Sequence, residues 1–179
     1  VRKYNNLIKI TEDIRNIISK WLEKIENRKL EDEILNYGNF QDLILRQLLG
    51  YDINDISTNY QTEGNESVEF VLKKEDEAYV AIELKGSSSN IDSYTNHKND
   101  TPMQQVSRYA TSQKSFKWCI VSNYDEFRLF SKNSRKEYIS FRFKDLTNDS
   151  ILKKFLLIFS KVSLIDNDIP SKLIIDGVN

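Results

Sequence analysis

Apolar residues recur at spacings of three and four near the start of the chain. Ile10, Ile14, Ile17, Ile18, Leu22 and Ile25 form one stripe, which predicts an amphipathic helix with Thr11 as its N-cap. Phe40, Leu43, Ile44 and Leu48 form another and predict a helix over about 31–49 that stops at Gly50. Residues 57–67 are rich in Asn, Thr and Gly and predict a loop or weak strand. The pattern then changes period. Residues 68–72 and 78–85 alternate in steps of two around the charged stretch 73–77, which predicts a β-hairpin. One register places Val68 opposite Leu84, Phe70 opposite Ile82 and Leu72 opposite Val80, so that every pair on that face is apolar. The other face then pairs Glu69 with Glu83, Val71 with Ala81 and Lys73 with Tyr79.

Residues 86–100 are rich in Ser, Asn and Asp and predict a mobile loop directly after the second strand. Thr101, Pro102 and Gln104 make a capping box with proline at the first helical position, which predicts a helix to about Ser112. Strands follow at 117–122, 126–130 and 137–143, and a last helix starts near Ser150. The fold class expected is α/β: a central mixed β-sheet flanked by helices, with the Thr101 helix as a crossover to a strand parallel to its partner. The tail after Ser163 carries Pro170 and reads as the start of a linker.

At 179 residues, 39% apolar and 30% charged, the chain suits one globular domain, and its nine Phe and nine Tyr separate it from disordered sequences. No apolar run approaches the roughly 20 residues needed to cross a bilayer. The N-terminus lacks the apolar core of a secretory signal and does not begin with Met, which reads as a fragment of a longer, cytoplasmic protein. The single cysteine, Cys119, sits in an apolar stretch and reads as a buried core thiol. A net charge of −1 argues against a tight, free-standing nucleic-acid binder. Between Arg108 and Lys144, however, nine cations face three carboxylates, so any basic surface must be local.

Two glutamates opposite each other on a hairpin repel unless something compensates them. A hard divalent cation would, since Mg2+ takes one or two carboxylates and fills its shell with water and phosphate. Lys85 lies two residues beyond Glu83 and therefore on the same face. Two acids and a lysine around a metal are the outline of a phosphodiesterase site. Other candidates are weaker. Glu33 reads as an exposed helix carboxylate, His97 as a surface residue, and Ser87, Ser88 and Ser89 have no base partner beside them.

The ordered set of residues 68–72 (VEFVL), 82–86 (IELKG), 101–105 (TPMQQ), Gln105-x-x-x-Tyr109 and 118–130 (WCIVSNYDEFRLF) resembles the N-terminal PD-(D/E)xK nuclease domain of type IIG restriction-modification enzymes. The resemblance runs from about Phe40 to Ser163. It implies a restriction-endonuclease-like core in a nuclease domain over 1–163, with N-terminal helices over about 4–49, a catalytic core over about 50–163 and a linker from 164. It also implies a prokaryotic, Mg2+-dependent endonuclease, with Mn2+ as a substitute, that hydrolyses double-stranded DNA to 5′-phosphate and 3′-hydroxyl ends. Glu69 and Glu83 would hold the metal, Lys85 would serve the attacking water, and Gln105 would support the site. Tyr109 would be structural. The family's usual Pro-Asp is here Val68-Glu69, a departure that bears on metal geometry. The resemblance further implies methyltransferase and target-recognition domains downstream, with S-adenosylmethionine bound only there, and transient dimerisation for double-strand cleavage. Two other readings stay open: an inert DNA-binding or scaffolding module with the same fold, and the nuclease domain of a type I restriction motor subunit, where Glu-x-Lys and Gln-x-x-x-Tyr also occur.

Overall fold

In a computed structural model, described for residues 2–95 and 99–177, six strands form one mixed sheet in the order β1-β2-β3-β4-β5-β6. They are β1 (Ile56–Gln61), β2 (Ser67–Lys74), β3 (Glu77–Leu84), β4 (Trp118–Ser122), β5 (Glu126–Ser131) and β6 (Ser134–Arg142). All neighbours are antiparallel except β3 and β4, which run parallel. That exception needs a crossover, and α3 (Pro102–Thr111) supplies it. The Thr101 hydroxyl accepts from the Gln104 N–H, while the Gln104 side chain accepts from the Thr101 N–H at 2.8 Å. His97 lies outside the described residues.

Helices cover both faces. α1 (Glu12–Glu26), capped by Thr11 as its stripe predicts, buries Ile17, Ile18 and Trp21 in the larger core together with α4 (Asp149–Phe159). The second predicted helix is a composite: a 3-10 turn (Ile34–Asn36), one α-turn, α2 (Tyr37–Asn39), and a wider π-type helix (Phe40–Leu48) closed by Gly50 at φ +79°. On the opposite face, α3 packs Met103, Val106 and Ala110 against Val71, Ala81, Cys119 and Val121. Cys119 is free and buried, and burial pushes its thiol up to about 12. No helix among the described residues is long and apolar enough to cross a membrane.

Several expectations change in detail. The stretch 57–67 contributes a full edge strand, β1. The helix expected from Ser150, α4, is capped by Asn148, whose side chain accepts from the Ser150 and Ile151 N–H groups, and not by Ser150. The packed body continues past Ser163, with Leu164, Ile165 and Ile169 buried and Lys117 paired to Asp168 at 2.6 Å. The local excess of cations is partly answered by carboxylates: Arg108 pairs with Glu66 and Asp100, Arg128 with Asp92 and Glu126, and Arg142 with Asp125.

Candidate active site

The hairpin register holds at its centre, where Phe70 pairs with Ile82, Val71 with Ala81 and Leu72 with Val80. At the turn a bulge pairs Lys73 with Ala78 in place of Tyr79. The other end departs too, and the expected Glu69–Glu83 and Val68–Leu84 pairs are absent from the ladder. The paired ladder begins at Phe70 and Ile82, and Val68 belongs to the α3-side core while Leu84 belongs to the opposite one. Asn59, the β1 residue across from Glu69, is absent from the β1–β2 pairing and has a φ of +48°. With both neighbours released, the Glu69 side chain accepts the Leu84 N–H at 3.0 Å, standing where a strand carbonyl would otherwise be.

Glu83 lies on the α3 side, in register with Val121, and is fully buried. Its Oε1 accepts from Lys85 Nζ at 2.6 Å, and its Oε2 has no hydrogen-bond partner. Such an orphaned, buried carboxylate oxygen is costly. Burial, opposed by Lys85, pushes Glu83 up to about 7. Burial and then the charge of Glu83 push Glu69 up to about 8, against the hydrogen bond from the Leu84 N–H. Burial alone would lower the Lys85 amine, but Glu83 and then Glu33 override it and hold its pKa above the ordinary value. Lys85 is therefore an ammonium at neutral pH.

A third carboxylate arrives from the N-terminal region. Residues 30–33 cross the end of β3 so closely that a Cβ added at Gly86 would meet the Glu31 carbonyl oxygen at 1.9 Å, and the Ser87 N–H donates to the Leu30 carbonyl at 2.8 Å. Glu33 is consequently not the exposed helix carboxylate expected from the pattern. Its side chain is 27% exposed, accepts from the Tyr37 hydroxyl at 3.0 Å and lies 3.6 Å from Lys85 Nζ. The buried Tyr124, with φ +71°, donates from its hydroxyl to the Glu33 carbonyl at 2.6 Å and so fixes the crossing. Sequence reasoning missed Tyr37 and Tyr124. For Tyr37 the signal was present, since Glu33 and Tyr37 sit one helical turn apart.

Gln105 and Tyr109 of α3 complete the surroundings. Gln105 Nε2 donates to the Tyr109 hydroxyl at 2.6 Å. Burial raises the Tyr109 phenol, Gln105 opposes this, and the charge of Glu83 raises it further, so this helix face looks toward the acids. The cluster thus stands at the C-terminal end of β3 beside parallel β4, the end of a parallel pair where α/β sheets bind ligands. Among the described residues no group of three or more His, Cys, Asp or Glu is arranged to hold a metal. Glu33 is turned to Tyr37 and Lys85, leaving Glu69 and Glu83 as the carboxylate pair.

No family model matches the chain, and no curated protein matches it. Among solved structures, the chain is similar to one from "cryoEM structure DrdV-DNA complex", with 12% sequence identity, a TM-score of 0.45, and coverage of 81% of this chain and 98% of that one.

Proposed function

We propose that this protein is a metal-dependent DNA endonuclease domain of the type IIG kind, with Glu69, Glu83 and Lys85 at its centre. The observation that carries the reading is the buried Glu83 carboxylate, with one oxygen on Lys85 and the other orphaned, repelling Glu69 across the open end of the hairpin. Two carboxylates in this state fit a hard divalent cation such as Mg2+ or Mn2+, which needs few protein oxygens when water and phosphate complete its shell. When bound, such a cation supplies Lewis-acid polarisation of the phosphodiester and a water of lowered pKa. The protein's own groups do the rest. The Lys85 ammonium cannot act as a base; it donates hydrogen bonds to the attacking water or to the charge that builds on the phosphoryl oxygens. Gln105 and Tyr109 wall the site from the α3 side, and Tyr37 holds Glu33 where its charge adds to that of Glu83 in keeping Lys85 protonated.

The test is cleavage of double-stranded DNA with Mg2+ and its loss in EDTA, with 5′-phosphate and 3′-hydroxyl product ends. A protein that binds DNA but cuts with neither Mg2+ nor Mn2+ would fit the inert module, with Glu69 reduced to an acceptor for Leu84. Recognition and methylation, with S-adenosylmethionine as cofactor, are assigned to downstream domains, so this chain should bind DNA weakly and lose it steeply with salt.

The acids also dictate a pH dependence. Their folded-state values, about 7 and about 8, lie above the ordinary 4.5, so the folded form binds protons more readily than the unfolded chain. Stability is therefore highest below about pH 4.5 as far as this pair is concerned, and is lost as pH rises through 7 and 8. Mg2+ should offset that loss where the pair is ionised. In thermal melts, saturating Mg2+ should raise the Tm clearly at pH 8.5 and little at pH 5.5, with stabilisation of about 2.7 kcal/mol at a hundredfold excess over Kd. Equal shifts at both pH values would place the cation elsewhere.

A further inference from the structure

Within the segment expected to be mobile, residues 86–95 are fastened at three points. Ile91 is 2% exposed and packs into the α3-side core. The Asn123 side chain donates to the Ser89 carbonyl at 2.8 Å. Asp92 takes a two-pronged ion pair from Arg128, at 2.7 and 3.1 Å, and the Arg128 side chain is itself only 5% exposed. A polar surface turn does not need a buried arginine to exist, so this anchoring serves its shape.

What it shapes is an open depression of about 360 Å³ beside the candidate active site, lined by Lys85, Ser89, Asn90, Ser93 and Tyr94 among others. Among its described lining residues Lys85 alone carries a formal charge, and it is a cation. The charge of the turn's acid, Asp92, is partly offset by Arg128, a cation it shares with Glu126. Tyr94 is 69% exposed, between a Ser93 N–H that donates to the Asn90 carbonyl and a Thr95 N–H that donates to the Asp100 carbonyl. An exposed aromatic ring offers the sugar face of a duplex strand an apolar contact, and hydroxyls and an ammonium suit its phosphate.

We propose that the 89–95 turn is a subsite for the DNA backbone next to the scissile phosphodiester, with Tyr94 as its platform and Asp92–Arg128 as the positioning pair that holds it. The proposal rests on the nuclease reading given above and adds to it where one strand lies. A fluorescein-labelled duplex, titrated in Ca2+ by anisotropy and cut in Mg2+ under single-turnover conditions, tests it. Tyr94→Ala should weaken binding about fivefold. Tyr94→Phe should bind like wild type, and both should reach the wild-type rate at saturation. Asp92→Asn, at a side chain already largely solvent-exposed, should keep the melting temperature and reproduce part of the affinity loss. Wild-type affinity in Tyr94→Ala, or a loss confined to the saturating rate, overturns the subsite while leaving the nuclease reading intact; a wild-type protein that neither binds nor cuts the duplex overturns both.

Discussion

Lys85→Ala is expected to remove Mg2+-dependent DNA cleavage, by at least about a hundredfold in the single-turnover rate, which is the scale for deleting one preorganised donor at developing charge. The geometry explains why no neighbour substitutes. The Lys85 ammonium sits 2.6 Å from Glu83 and 3.6 Å from Glu33, and the nearest other cation acting on Glu83 is Arg108, already paired with Glu66 and Asp100. The fold should survive. Glu83 already titrates near 7, and loss of the ammonium that lowers it lets the buried carboxyl hold a proton at neutral pH instead of remaining an unpaired charge. Circular dichroism and melts should therefore stay close to wild type. Ile82→Ala, three residues earlier and on the opposite face, should behave in reverse. Ile82 is fully buried in the larger core, so its truncation should cost about 2–5 kcal/mol and lose activity only as the fold is lost. Equal cutting by wild type and Lys85→Ala would end the catalytic assignment even with the fold correct.

Gly86→Ala should damage stability and activity together, through a single methyl group. The added Cβ would lie 1.9 Å from the Glu31 carbonyl oxygen, which is backbone and cannot rotate away. Either residues 30–33 move off the end of β3 or Gly86 moves, and each breaks the Ser87–Leu30 hydrogen bond and strains the Tyr124–Glu33 one. Overpacking of this kind costs about 3 kcal/mol. Glu33 then leaves the Lys85 ammonium. Chemical denaturation should show the midpoint shift, and cleavage should fall even where the variant is fully folded. Gly38→Ala is the control: nothing lies within 4 Å of its added Cβ, so it should be nearly silent. A Gly86→Ala protein with wild-type stability and rate would show that the crossing does not matter.

Much of the architecture was legible because period and capping are local properties. The Thr11 and Thr101 caps, the hairpin centre and the crossover helix all follow from residues within a few positions of one another. Local patterning also put Glu69, Glu83 and Lys85 at one end of one hairpin. It failed where the chain departs from its own period. The bulge after Leu72 and the left-handed Asn59 rotate the strands, and no alternation of side chains announces either. The second helix kept its apolar stripe while its backbone wound as 3-10, α and π in turn, since a stripe reports a buried face and not the hydrogen-bond spacing.

The sequence by itself determined that this is an α/β chain with Glu83 and Lys85 on one side of its hairpin, because strand alternation places residues two apart on one face. Only the tertiary structure decided how those groups are used. Glu33 reaches Lys85 across 52 residues of sequence because Gly86 has no side chain to keep residue 31 away. Arg128 pins Asp92, 36 residues distant, and turns a polar loop into a fixed wall. The burial that empties water from around Glu83, and so shifts its proton equilibrium, is a sum over every element packed on it. Such long-range approaches depend on where whole helices and strands come to rest, and no local spacing of residue types encodes that.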